Sequence, residues 1–230
     1  DKFCSNCGQE VLAEKESFKH FLHHFAKDYF TFDSKIFKSL SPLLFKPGFL
    51  TMEFLKGKRA SYIPPLRLYI FISVVFFLGL SLLGGKSEAG SLNEMDELIE
   101  KYLPRLFFLF LPIFAGILSL LNIRKDRGFI KPFVFSLHFH SFTFLVTLFY
   151  LILSKIFGSL SWFGVNQVLL IILGGLILFY LVSSVRKAYQ RGWLNSIIKT
   201  SLLLLVYLCC MFTVILLVDF LLVGWEPASQ

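Results

Sequence analysis

The chain has 230 residues, of which 56% are hydrophobic and only 17% charged, against roughly 45–50% and about 25% in soluble domains. A soluble core cannot enclose that much apolar surface, which excludes a soluble enzyme or a soluble binding domain. The formal net charge of +8 does not argue for nucleic acid, because the cations cluster between apolar runs, the pattern that orients a membrane protein.

At the front stands Cys4-Ser5-Asn6-Cys7-Gly8. Two thiolates at this spacing lie on one tight knuckle, and the glycine after the second lets the turn close around a metal. The favoured reading is a structural Zn2+ site held by Cys4 and Cys7, with a redox pair or two ordinary thiols as alternatives. A redox pair normally opens a helix in a thioredoxin-like fold, and nothing nearby has that pattern. Zinc wants four ligands, so His20, His23 or His24, or a second pair before Asp1, must complete the set. The upstream pair is preferred: the chain opens at Asp1 without Met, so preceding sequence is expected. No cleavable signal peptide is legible, since the first 60 residues are polar, charged and aromatic.

Residues 13–65 read as amphipathic helices at the membrane surface. Phe18, Phe21, Leu22, Phe25 and Tyr29 recur at three- and four-residue steps, opposite Lys19, His20, His23 and Lys27. After Asp33, a reasonable N-cap, Ile36, Phe37, Leu40 and Leu44 repeat that spacing. Basic aromatic helices of this kind lie in the headgroup plane with lysines on anionic lipid. Lys46-Pro47-Gly48 breaks the second, and Pro64-Pro65 blocks helix ahead of the first span. In the entry segment GKRASYIPPLR, Lys58, Arg59 and Arg67 flank Tyr62. The group suits an anionic headgroup or a phosphate-bearing ligand, and suits equally an anchor that only fixes the first span.

Five stretches then approach the length of about 20 residues that a 30 Å hydrocarbon slab requires: residues 66–84, 104–122, 133–158, 164–184 and 201–224. The second carries Pro112 as an expected kink. The loop before it holds Ser91 and Glu94 at capping-box spacing, then Leu92, Met95, Ile99 and Tyr102 at helical steps, so a short acidic surface helix is expected there. Residues 1–65 hold ten Lys or Arg, whereas loop 85–103 holds two against five acids. Arg124, Lys125, Arg127 and Lys131 crowd the next loop; Lys155 stands alone at the one after; Arg186, Lys187, Arg191 and Lys199 mark the last. Basic and non-basic connections alternate, which puts the N-terminus in the cytoplasm and the C-terminus outside.

Inside the third span Ser136, His140, Thr143, Thr147, Tyr150 and Ser154 follow steps of 4, 3, 4, 3 and 4, and so share one helix face. Polar groups in lipid need partners, so this face turns toward other helices or water. Such a face serves as helix–helix glue, the commoner use, or as a proton path through His140. His138 lies about 200° around the helix from His140, which sets the two against sharing one metal. Asp219 is the single acid within the five spans. It is expected to be paired, protonated or turned to water, with Arg105, Lys155 and Asn166 at similar depth. There is no P-loop, HExxH, GxSxG or paired-carboxylate motif, which leans against an enzyme.

The order FCSNCGQ, a basic aromatic segment, then KPGFLTMEFLKGKRASYIPPLRLYIFIS resembles a bacterial membrane-protein family, common in Bacteroidetes, described only as a domain of unknown function with a zinc-ribbon head. The resemblance covers roughly residues 3–80, and the run from Pro47-Gly48 through Gly57-Lys58-Arg59 to Pro65-Leu66-Arg67-Leu68-Tyr69 is its most specific part. It implies a double C-x-x-C ribbon, with Cys4 and Cys7 as the second half, and a bacterial inner membrane location. It brings no activity.

The expected architecture is an all-α membrane protein: a partial zinc ribbon over residues 1–12, cytoplasmic interfacial helices over 13–65 and a five-helix bundle over 66–225. The favoured role is a non-enzymatic anchor, sensor or scaffold that binds anionic lipid headgroups, with a cytoplasmic protein partner or self-association compatible and no nucleic acid. A small channel or permease using the His140 stripe and Asp219 is the first alternative. A lipid-headgroup-modifying enzyme using Arg59, Tyr62 and Arg67 is the second.

Overall fold

The computed structural model describes residues 35–58, 61–83, 94–123, 128–158 and 164–223, and for 94–105 and 218–223 it describes the backbone. Cys4, Cys7, the first amphipathic segment and Arg59 lie outside the described residues. Among the described residues the chain is entirely helical, with seven helices: α1 (Lys35–Phe45), α2 (Phe49–Leu55), α3 (Pro65–Leu83), α4 (Glu94–Asn122), α5 (Ile130–Gly158), α6 (Val165–Tyr189) and α7 (Trp193–Val223). Four of them, α3, α5, α6 and α7, are long and apolar enough to cross a membrane, and α4 contributes a shorter apolar segment, Leu106–Asn122. The chain thus has the architecture of an integral membrane protein.

The five expected spans fall on these helices, with two differences at their ends. The acidic segment is not a separate surface helix. Its backbone runs without a break through Pro104 and Pro112 into α4, a 29-residue helix of roughly 43 Å at 1.5 Å per residue. Because that exceeds a 30 Å core, the acidic first turns project beyond it. At the other end of the bundle α6 continues to Tyr189 and α7 begins at Trp193. The basic connection between them is therefore a tight turn with Gln190 in the left-handed conformation (φ 48°).

α5 is the central element and packs against α3, α4 and α6, while α7 packs against α4 and α6. Phenylalanine rings fill much of the space between them: Phe76, Phe110, Phe114, Phe135, Phe139, Phe142 and Phe144 are all buried. Phe144 of α5 stacks on Phe76 (4.7 Å, 12°) and meets Phe107 edge-on at 5.0 Å. Offset and edge-to-face rings gain attraction beyond their buried area. That matters in lipid, where the apolar surroundings provide no hydrophobic drive between helices.

α1 and α2 are docked on this bundle through buried faces. The buried side of α1 is Ile36, Ser39, Pro42 and Leu43, whereas Phe37 and Phe45 stay exposed. The expected stripe of Ile36, Phe37, Leu40 and Leu44 is rotated because Ser39 has work inside. Its Oγ donates to the Lys35 carbonyl at 2.8 Å and accepts from Ile63 N–H at 3.1 Å. The second bond ties the approach to α3 onto α1. Pro65 then opens α3 at the first helical position, where a missing N–H costs nothing. Tyr180 of α6 stacks on Phe142 of α5 and donates its hydroxyl to the Leu43 carbonyl at 2.6 Å, so α1, α5 and α6 meet at one residue.

Gly48 explains the Lys46-Pro47-Gly48 break. Its φ is +68°, and a Cβ built there would lie 3.0 Å from the Ser184 carbonyl oxygen and 3.2 Å from Ser184 Cα. The turn is left-handed and pressed against the backbone of α6, two conditions that glycine meets together.

Candidate functional site

The polar stripe of α5 divides in two. Its first half is buried: Ser136 and His140 are at most 5% exposed. His140 Nδ1 lies 2.8 Å from the Ser136 carbonyl, which can only accept, so Nδ1 carries the proton. Nε2 is then the acceptor, and the Tyr207 hydroxyl of α7 donates to it at 3.1 Å. The Ser136 hydroxyl in turn donates to the Leu111 carbonyl of α4 at 3.0 Å. Phe114 and Phe139 stand edge-on to the imidazole at 5.2 and 5.7 Å. The result is a neutral imidazole with both nitrogens engaged, joining α4, α5 and α7 inside an aromatic cage. Nδ1 also lies 3.3 Å from the Ser136 hydroxyl, so Tyr207, His140 and Ser136 form one hydrogen-bonded chain that ends on the Leu111 carbonyl.

The second half is looser. Thr143 donates to its own helix at Phe139 (3.0 Å), while Thr147 and Tyr150 are half-buried. Ser154 bonds Asn166 of α6 at 3.0 Å, and Lys155 reaches the Leu83 carbonyl at 3.5 Å. Asn166 and Lys155 thus have partners of their own. The Asp219 side chain, like that of Arg105, lies outside the described residues. His138 faces away from His140 and toward α2, where Thr51 Oγ1 sits 3.0 Å from its Nδ1 in a buried contact.

The entry segment contains an acid that cation spacing alone did not reveal. Glu53 of α2 has a side chain only 8% exposed and binds Lys58 at 2.6 Å and Lys56 at 3.1 Å. The Lys58 hydrogen bond, with Lys56 behind it, holds the Glu53 carboxyl below its ordinary value, and Glu53 raises Lys58 in return. Tyr62 is half-buried against Phe49, edge-on at 5.9 Å, with the Lys38 ammonium 5.8 Å from its ring. Arg67 is buried at the start of α3. Lys58 therefore serves Glu53 and Arg67 sits inside the fold, while Tyr62 and Lys38 form the outward part of this platform. Three partners were missed from sequence: Glu53, Thr51 and Tyr207. The Glu53–Lys56 spacing of three was a legible signal for the first; the other two are tertiary contacts across 87 and 67 residues.

Among the described residues no group of three or more His, Cys, Asp or Glu is arranged to hold a metal ion. The model of a family described as Protein of unknown function (DUF3667) matches residues 33–77, which span α1, α2 and most of α3. No curated protein and no solved structure matches the chain. Residues 33–77 are thus a domain of unknown function, and it coincides with the segment that docks onto α5 and α6 and leads into α3.

Proposed function

We propose that the chain is a multi-pass scaffold of a bacterial inner membrane. In this reading it carries a cytoplasmic head, with a structural Zn2+ held at Cys4 and Cys7, and the head engages a protein partner. The N-terminus lies in the cytoplasm and the C-terminus outside, following the alternation of basic and non-basic connections. Arg59, on the basic entry segment, adds to the anionic lipid contact of that face.

One observation carries the scaffold reading: the polar groups buried between α5 and its neighbours hold helices together. His140 joins α5 to α7, Ser136 joins α5 to α4, Thr51 meets His138 between α2 and α5, and Tyr180 fixes α1. A transport path needs polar groups that can exchange partners with the passing solute, whereas a rigid platform needs them committed.

The test is purification of the full-length protein in mild detergent, beside a variant with Cys4→Ser and Cys7→Ser. A stoichiometric protein that co-purifies with the first and is lost from the second supports the scaffold. Ion flux in reconstituted vesicles that exceeds empty vesicles and falls in Asp219→Asn or His140→Ala overturns it in favour of a channel.

A further inference from the structure

The last turns of α6 and the turn at Pro47 enclose an open cleft of about 590 Å3, lined by Pro47, Phe179, Ser183, Arg186, Lys187, Gln190 and Arg191. Ser183, Arg186, Lys187 and Gln190 stand at steps of three, four and seven and so share one face of α6. The lining thus brings three cations and no carboxylate. Their positions are fixed by packing. The Arg186 guanidinium lies 4.4 Å from the Trp193 ring, and the Lys187 ammonium lies 5.4 Å from Phe49. Lys46, next to Pro47, sits 5.4 Å from the same Phe49 ring and adds a fourth charge beside the cleft.

Two polar atoms in these walls, Ser183 Oγ and Arg191 Nε, are shut from solvent and have no hydrogen-bond partner. Buried donors without acceptors are rare and carry a desolvation penalty. An oxyanion in the cleft supplies the acceptor both lack once a turn of the two side chains brings these donors to its surface. The carbonyl end of α6 opposes an anion with about half a charge. Gln190 and Arg191 N–H groups already bind the Arg186 carbonyl there, and three full cations outweigh what is left.

The same helix face continues away from the cations through Phe179, Leu176 and Ile172, at further steps of four, three and four from Ser183. All three are exposed, at 60%, 43% and 58%. From Ile172 to Lys187 the stripe runs roughly 22 Å, and it passes from apolar to cationic along its length. That is the profile of an anionic amphiphile laid along a helix, which a soluble phosphate does not need.

We propose that this cleft binds the phosphate of an anionic phospholipid, with an acyl chain along Phe179, Leu176 and Ile172. The proposal goes beyond the scaffold reading and requires only that α6 crosses the bilayer. Full-length protein in mild detergent is titrated with dioleoyl phosphatidic acid or dioleoyl phosphatidylcholine, and bound lipid is counted by native mass spectrometry. Phosphatidic acid binds in preference. Arg186→Gln or Arg191→Gln weakens it about fivefold, and the double variant about twenty-five-fold, at the usual worth of one surface cation toward anionic lipid. Lys155→Gln, at the opposite end of the bundle, leaves the preference intact. If loss of the Trp193 contact unfolds Arg186→Gln, Lys187→Gln removes a charge from the same cleft and loses about fivefold. Equal binding of the two lipids, or a preference that survives the double variant, overturns the proposal. Displacement of phosphatidic acid by millimolar inorganic phosphate assigns the cleft to a soluble phosphate and overturns the lipid assignment.

Discussion

The Tyr207 hydroxyl donates to His140 Nε2 at 3.1 Å, across the contact of α7 with α5 and 67 residues apart in the chain. Interhelical hydrogen bonds in membranes are worth about 0.6 kcal/mol on average and rarely exceed about 1.7. Tyr207→Phe keeps the ring that packs on Phe114 at 5.1 Å and removes only the donor. It should therefore cost about 1 kcal/mol, read as a lower midpoint in detergent-induced unfolding. His140→Ala removes the ring as well, orphans Tyr207 and opens a cavity, and should cost about 3 kcal/mol. Equal midpoints for wild type and both variants would show that the imidazole does not hold these helices.

Gly48 and Gly79 separate two kinds of close approach. At Gly48 an added Cβ meets the Ser184 backbone at 3.0 Å with φ at +68°, so neither strain nor contact can relax. Gly48→Ala should cost about 2 kcal/mol or more and should loosen α2, seen as faster amide exchange across Phe49–Leu55. At Gly79 the Cβ would meet only the side chain of Leu148, closest at its Cδ1, and that end can turn away. Gly79→Ala should fold with a smaller loss. A reversed order of the two would contradict the docking of the Pro47-Gly48 turn on α6.

The ion pairs of Glu53 with Lys58 and Lys56 predict a pH dependence with a definite sign. Glu53 is held below its ordinary 4.5 by Lys58 first and Lys56 second. A depressed carboxyl stabilises the fold above its unfolded value, and that contribution is lost as pH falls through the folded value. Lys58 is raised above 10.5 by the same contact, so its share persists below that pH and is lost as pH climbs past its folded value. The Phe49–Lys58 segment should be best protected from proteolysis between about pH 4.5 and 10.5, and should open on acidification below that window. Glu53→Gln should flatten the acid limb. An acid limb unchanged in this variant would assign it to another group.

How much of this could be read from the chain follows the range of the interactions. The spans were legible because hydrocarbon length and 3.6-residue periodicity are local. Pro65–Leu83 falls within one residue of the expected 66–84 at each end. The helix ends that differed depend on neighbours. α7 starts eight residues early, at Trp193, whose ring the Arg186 guanidinium faces and so fixes in the turn. The fused α4 reflects the tolerance of long membrane helices for proline, which adjacent helices re-satisfy. Of the candidate site, the stripe through Ser136 and His140 was visible as spacing, but the partners that give it meaning, Tyr207 and Leu111, were not. Likewise the rotation of α1 came from one serine bonding the Ile63 amide 24 residues away. Hydrophobic pattern alone favours Phe37 over Ser39 for the buried side, and it has no term for that amide.

The zinc site proposed at Cys4 and Cys7 should respond to pH. Thiolates bind zinc only when deprotonated, so metal content should be high at neutral pH and fall on acidification. Elemental analysis of the full-length protein should find zinc, and Cys4→Ser or Cys7→Ser should each remove it, because a tetrahedral site does not survive the loss of a thiolate. Among the described residues no cluster is set up to bind a metal, so the bundle should be indifferent to the change. The unfolding midpoint of the membrane helices should stay within error while zinc is lost. Zinc retained in both serine variants would move the metal elsewhere in the chain. A bundle that unfolds with the metal would mean that the head and the helices form one cooperative unit, contrary to a head that is presented from a rigid platform.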